Sequence, residues 1–448
     1  MSNTDAEQTT SRTNRYGIGA ALPSLLALAA GIVVGSIAHQ TNQPLLLAAE
    51  SWLFPVGQVW IAALQMTVLP LVVANLITAI LANAEAHIFG RLGIGALGLF
   101  VAFLILGAVF GVISGTAIIS LIPVTPETVA GFSSIAGTAE ALASNTTAFP
   151  EPAAWLVSLI PVNPFGALAE GHLLPILLFT IAFSVATTRI PDDGRRAILQ
   201  FFLAVSQAMM VLVHWILRAT PLGVFALTLS FASTVGAEVG TAIVQYLVLI
   251  CAHLGAFTAL LYPLTLVAAG VPLRTFARAV LPAQVVAVGT RSSLASLPAL
   301  LDGSKGLTLK PSVAEISLPL AVALFKSNRT VSSTIKLLFI AHLFGIDLSA
   351  AQILVFVATI IIVSFSAVGI PLGGGGLKSL PAYLAAGIPV EAYILFKAVE
   401  AVPDIFKTLL NVTADMSVAA ILSRLIPAHI ATADEPLAAG QPERLGPG

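Results

Sequence analysis

Near the C-terminus the chain reads Glu400-Ala-Val-Pro-Asp404-Ile-Phe-Lys407-Thr408-Leu-Leu-Asn411-Val-Thr-Ala-Asp415. Glu400, Asp404, Lys407, Asn411 and Asp415 fall at steps of 4, 3, 4 and 4. That spacing is one stripe of a 3.6-residue helix whose other faces carry Ala, Val, Ile, Phe and Leu. Each ionised side chain at bilayer depth costs about 2.5–3.5 kcal/mol on insertion scales, so the stripe must face protein or water. Such a row is a binding site or a pathway, or else a zipper of ion pairs that joins two helices.

The surroundings are those of a membrane protein. Of the 448 residues, 57% are hydrophobic and only 9% charged, where soluble domains carry about 25%. Apolar segments recur at 19–38, 55–82, 92–122, 173–188, 199–217, 243–270, 311–325, 337–362 and 408–422, several long enough to span a bilayer. The chain is therefore expected to be an all-α polytopic protein. Residues 1–18 are polar and hold no apolar stretch followed by a cleavage site, so no cleaved signal peptide is expected. A single cysteine, Cys251, excludes a disulfide framework within the chain. The seven histidines are scattered, no basic run suggests nucleic acid, and no cofactor motif occurs. The tail from about 430 reads as disordered.

Basic residues set the topology. Arg12, Arg15, Arg91, Arg189, Arg195, Arg196, Arg274, Arg278, Lys305, Lys310 and Arg424 lie in polar breaks, and the breaks between them (40–52, 123–152, 233–240, 345–351) have no Lys or Arg. Positive-inside placement puts both termini in the cytoplasm. It also requires 279–304 to enter and leave on the cytoplasmic side and 353–388 on the outer side, which makes two re-entrant hairpins of opposite entry. Non-helical backbone at that depth must be buried in protein or line a cavity. The first hairpin contains Thr290-Arg291-Ser292-Ser293-Leu294-Ala295-Ser296-Leu297-Pro298 and the second Gly369-Ile370-Pro371-Leu372-Gly373-Gly374-Gly375-Gly376. Helix N-termini at such tips can hold carboxylates, and freed carbonyls can hold cations.

With both tips and the polar helix in place, the chain resembles the glutamate/aspartate transporter family, which includes the bacterial dicarboxylate/amino acid:cation symporters. The resemblance covers about residues 20–426. It rests on Leu159-Ile-Pro-Val-Asn-Pro-Phe165, Ala167-Leu-Ala-Glu-Gly171, Leu174-Pro175, the Thr290-Arg-Ser-Ser tip, Leu318-Pro-Leu320, Phe339-Ile-Ala341, Gly369-Ile-Pro371 and the run from Asp404 to Asp415. It implies eight transmembrane helices plus two opposed hairpins, a homotrimer, and a core that moves like an elevator in the bacterial inner membrane. Residues 1–18 would be a cytoplasmic tail. Residues 19–270 would be mainly scaffold, with the third and sixth helices joining the transport domain. Residues 271–426 would be the transport core and 427–448 a cytoplasmic tail.

By the same resemblance, Asp404 would hold a substrate ammonium and Lys407 a substrate carboxylate, where the family has arginine. Lysine keeps the charge and loses the bidentate fork. Thr408, Asn411, Arg291, Ser292 and Ser293 would contact substrate, and Gly369, Ile370, Pro371, Gly373 and Gly374 would form the extracellular gate. Asp415, with Asn411, would be what remains of a cation site.

The departures concern sodium. Counted without gaps, the family's Asn-Met-Asp-Gly-Thr of the seventh helix falls on Phe325-Lys326-Ser327-Asn328-Arg329, and its sodium ligands on the third helix fall on Phe100, Phe103 and Leu104. Hard cations need several oxygen ligands, and phenylalanine and leucine supply none. Lys326, Arg329, Ser333 and Lys336 recur at steps of 3, 4 and 3 on one helical face, with Lys378 and Lys397 nearby. Lys326 or Arg329 is expected to neutralise Asp415 or Asp404 in place of sodium, or to pair only for packing. Sodium coupling should then be weak or absent. A buried lysine or Glu400 could carry a coupling proton.

Arg291, Arg329 and Lys407 favour an anion with two carboxylates, while Asp404 adds an ammonium. The expected function is secondary transport of an acidic amino acid or C4-dicarboxylate. The alternatives are an anion-binding sensor on the same scaffold and a sodium-independent exchanger of another carboxylate. An intramembrane enzyme would need a nucleophile–base or metal pair, and none occurs.

Overall fold

A computed structural model describes residues 18–85, 91–135, 157, 159–170, 172–307, 309–365 and 379–426. These residues are helical and contain no strand. The N-terminal part runs α1 (Ile18–Thr41), α2 (Pro44–Glu85), α3 (Arg91–Ile119), α4 (Pro126–Ile135), α5 (Pro164–Ala169), α6 (Leu173–Thr187), α7 (Asp192–Arg218), α8 (Thr220–Val235) and α9 (Glu238–Ala269). The C-terminal part runs α10 (Leu273–Thr290), α11 (Leu297–Gly306), α12 (Pro311–Leu324), α13 (Asn328–Phe344), α14 (Ala350–Phe365), α15 (Leu380–Ala385), α16 (Val390–Ala398) and α17 (Pro403–Leu425).

Among the described residues six helices are long and apolar enough to cross a membrane: the greater parts of α1, α2, α3, α7, α9 and α17. Their burial separates centre from rim. In α17 78% of the apolar window is buried, against 22% in α1 and α7. Leu26 and Val33 of α1, Ile113 of α3 and Val248 and Val267 of α9 are exposed apolar side chains, as an outward face toward lipid chains requires. The helix that carries Asp404, Lys407, Asn411 and Asp415 thus sits in the middle, where a charged stripe can meet partners.

Three features fix that centre. Gly107, Gly111 and Gly115 of α3 lie against Thr330, Thr334 and Ile335 of α13, so close that a Cβ on Gly107 would stand 2.7 Å from Thr330 Oγ1. Glycine at every fourth position lets two membrane helices approach backbone to backbone. The arms α10 and α11 meet in the same way at Gly303, where a Cβ would lie 2.1 Å from the Ala279 carbonyl oxygen. Finally, Gln284 of α10 donates to Thr413 of α17 at 2.8 Å and to Tyr262 of α9 at 3.0 Å, and Thr265 of α9 donates to Ser417 of α17 at 2.8 Å. Buried polar side chains must find such partners.

Two expected helical faces turn out to be interrupted. Lys326 does not share a helix with Arg329, Ser333 and Lys336: Phe325 is extended (φ −94°, ψ 122°) and α13 starts afresh at Asn328. Likewise Glu400 precedes α17, in the turn between α16 and α17, although Asp404 N still donates to its carbonyl at 2.9 Å. Pro403 explains the second break, since it has no N–H and its ring crowds the preceding turn. The apolar run 337–362 is also divided, because Gly345 ends α13 with a left-handed φ of 64°.

Candidate functional site

The break between α12 and α13 leaves helix-end groups inside the protein, and several of them find side-chain partners. The Lys326 ammonium donates to the Val322 carbonyl at 2.5 Å, a cation at the carbonyl end of α12. At the start of α13, the Asn328 amide N–H and side-chain Nδ2 both donate to Asn411 Oδ1, at 3.1 and 2.9 Å. Asn411 therefore ties α17 to the break. Arg329 Nη1 donates to the Val363 carbonyl at 3.1 Å, near the end of α14.

Aromatic rings fill the other side of the break. Phe325 stacks on Phe100 with centroids 4.7 Å apart and planes 9° apart, and meets Phe103 edge-on at 6.2 Å. All three are buried, as is Leu104. Positions matched by motif counting on two separate helices thus form one apolar cluster. It offers hydrocarbon where a sodium ion would need oxygens, so these residues do not fit that ion.

The stripe itself is built around Glu400. Its buried carboxylate accepts from Lys336 of α13, from Lys397 of α16, and from Lys407 of α17 at 3.0 Å. Lys407 also reaches Asp404 at 3.3 Å, and Asp404 is half exposed. Lys336 lies 4.8 Å from the Tyr393 ring centroid and 6.0 Å from that of Tyr383, so its ammonium has π-faces as well as a carboxylate. The Tyr383 hydroxyl donates to the Ser333 carbonyl at 3.0 Å, which fixes the ring over α13. Thr408 uses its hydroxyl proton within the helix, donating to the Asp404 carbonyl at 2.8 Å.

Asp415 differs from the rest of the stripe. It is fully buried, and neither carboxylate oxygen has a hydrogen-bond partner. The opposite charge acting on it is that of Lys326, although the two form no ion pair. The expected direct pairing of Lys326 with Asp415 or Asp404 is therefore not what the structure contains. The ion pairs gather instead on Glu400, because Lys336 and Lys397 approach it from two sides. Sequence reasoning noticed both lysines without assigning them to Glu400. The signal was there for Lys397, three residues before its partner, but Lys336 lies on a different helix.

At the first tip, α10 ends at Arg291 in the left-handed conformation (φ 52°), a rare geometry for a residue with a Cβ. Arg291 N still donates to the Ala287 carbonyl at 2.8 Å. Ser292 organises the turn: its Oγ accepts from Ala295 N at 3.2 Å and its carbonyl from Ser296 Oγ at 3.1 Å. Ser293 is buried beside it. Gly369, Ile370, Pro371, Gly373 and Gly374 of the second tip lie outside the described residues, as does Lys378. No group of three His, Cys, Asp or Glu side chains able to hold a metal occurs among the described residues.

A polar helix within an apolar bundle, tied to a broken helix through Asn411 and Asn328, agrees with the comparison to known proteins. The model of the sodium:dicarboxylate symporter family matches residues 21–425. The chain belongs to that family. Members of the sodium:dicarboxylate symporter family are transporters, so this protein is a secondary transporter and not an enzyme. Among its relatives in the family are the proton/glutamate-aspartate symporter of Escherichia coli, 25% identical over 404 residues (89% of this chain, 91% of the relative). The proton/sodium-glutamate symport protein of Bacillus subtilis is 24% identical over 419 residues (92% and 93%). The C4-dicarboxylate transport protein of Brucella anthropi is 25% identical over 416 residues (89% and 87%).

Proposed function

We propose that this protein carries an acidic amino acid or C4-dicarboxylate across the membrane by an elevator movement of residues 271–426, and that sodium does not drive it. Relatives named for glutamate-aspartate and for C4-dicarboxylate transport support the substrate range. The observation that carries the coupling proposal is the cluster of Phe100, Phe103 and Phe325 at the break, next to the Lys326 ammonium. Rings and a fixed cation stand where a hard cation would need oxygen ligands. Arg291, Ser292, Ser293, Arg329, Asp404, Lys407, Thr408 and Asn411, with the second tip, are the proposed substrate residues. Eight transmembrane helices, two opposed hairpins, a homotrimer, a bacterial inner membrane and cytoplasmic termini complete the proposal.

Uptake of labelled substrate into liposomes in sodium, lithium and choline buffers tests the coupling. Equal rates are expected, and a strong dependence on sodium would overturn the reading. Proton coupling is the second reading, favoured by the unpartnered Asp415 carboxylate, for which a proton is an available countercharge. A pH gradient that neither drives nor alters uptake would remove it.

A further inference from the structure

Glu400 divides its lysines between its two oxygens. Oε1 accepts from Lys336, the deepest of the three, with 4% of its side chain exposed. Oε2 accepts from both Lys397 and Lys407, whose side chains are 22% and 13% exposed. These two also stand next to exposed groups: Lys407 reaches the half-exposed Asp404, and Val402 in the same turn is exposed. Two ammonium groups from different helices thus converge on one carboxylate oxygen at the more open edge of the cluster. That geometry captures a carboxylate, and here the protein's own carboxylate fills it. Glu400 is not locked in place by a helix. It stands in the turn between α16 and α17, where its N–H donates to the Lys397 carbonyl at 3.3 Å, a long bond. Rotation of its side chain can free Oε2 from Lys397 and Lys407 while Oε1 keeps Lys336. A further buried donor stands by: the Tyr246 hydroxyl of α9 has no hydrogen-bond partner and lies close enough to feel the charges of Glu400 and Asp404.

We propose that Lys397 and Lys407 together hold a carboxylate of the transported substrate, and that Glu400 is a tethered stand-in that fills their site while it is empty. The proposal rests on the carboxylate-transporter reading above and adds to it a second ligand and an internal competitor. Lys407 alone has no planar fork with which to grip a carboxylate at two points. Lys397 supplies the second point from α16, at the same oxygen position. The stand-in has a physical reason. Two ammonium groups side by side in a part-buried cluster repel each other and need a countercharge, and Glu400 provides it until substrate arrives. The contact has a consequence for binding. Substrate meets both lysines only in the fraction of molecules where Oε2 has let go, and the apparent affinity falls by that fraction.

The test measures binding of succinate and of aspartate to the purified full-length chain in detergent, read as the rise in melting temperature with ligand concentration. Parent, Glu400→Gln, Lys397→Met and Lys397→Arg are compared. With the released state at about 10% of molecules or fewer, Glu400→Gln should bind at least about 10-fold more tightly than the parent, even though it melts lower without ligand. Acetate, a bare carboxylate, should raise the melting temperature of Glu400→Gln more than that of the parent. Lys397→Met should bind about 10-fold more weakly, and Lys397→Arg should keep most of the parental affinity. Equal or weaker binding by Glu400→Gln would mean that Glu400 only positions Lys407, and would overturn the stand-in. Parental affinity in Lys397→Met would overturn the assignment of Lys397. That variant leaves Glu400 on Lys336 and Lys407, so it decides the matter even if Glu400→Gln does not fold. Either reversal leaves the substrate range standing so long as the parent binds succinate or aspartate. Binding of neither to the parent would overturn the inference and the substrate range together.

Discussion

Replacing Glu400 with glutamine removes one charge and leaves three lysines without their common partner. Lys336 and Lys407 are buried like Glu400 itself, with 4% and 13% of their side chains exposed against 7% for Glu400, so solvent screens little of the loss. Removing one member of a buried ion pair costs about 3–5 kcal/mol, because the charge left behind is uncompensated. At about 2.1 cal/mol/K of unfolding entropy per residue, a chain of 448 residues should lose roughly 3–5 °C in Tm. Lys336→Met is milder. Glu400 keeps Lys397 and Lys407, and the thioether can lie on the Tyr393 ring, so a loss of about 1–2 °C is expected. The double variant is the decisive one: removing Lys336 from a cluster already lacking its carboxylate should restore about 1–3 kcal/mol relative to additivity. Thermal unfolding in detergent, followed by loss of the monodisperse peak, reads all three. If Glu400→Gln melts within about 1 °C of the parent, or if the two losses simply add, Glu400 does not hold the lysines together.

Two further variants probe the frame around the site. Gly303→Ala puts a Cβ against the Ala279 carbonyl, which as backbone cannot yield. Uptake and thermal stability should both fall, and a variant with parental values would mean that the hairpin arms are not held this close. Asn411→Ala strips the acceptor from two Asn328 donors, one of them the first N–H of α13. A loss of about 1–3 kcal/mol is expected, with Asn411→Asp, which keeps the acceptor, retaining more stability in the same melting assay.

The sequence made some of this legible because certain residues have few tolerable environments. A row of charges at helical spacing in an apolar segment can only face inward, so the central position of α17 followed from its composition. Phe100, Phe103 and Phe325 could be grouped before any coordinates, because motif counting gave each a place on a known framework and their chemistry excluded cation binding. Helix breaks were less visible. Phe325 and Ser327 are ordinary helix residues, and the break becomes stable through Asn411, which is far away in the chain. Charge partners were the least legible. Lys326, Arg329 and Lys336 look interchangeable on a helical wheel. They end on a carbonyl of α12, a carbonyl of α14 and a carboxylate, because the backbone between Lys326 and Asn328 changes direction. Pairing across helices depends on rotation and depth, and neither is written in local spacing.

The stacked rings at the break have one more consequence. Where a discontinuity in a helix is held by a bound ion, its order depends on the buffer, and dialysis loosens it. Here the ordering entropy is met once, at folding, by side chains that cannot dissociate. On the proposed sodium-independent reading, the break should keep the same shape in sodium and in choline, and the protein should be equally stable in media chosen for the lipid or the assay.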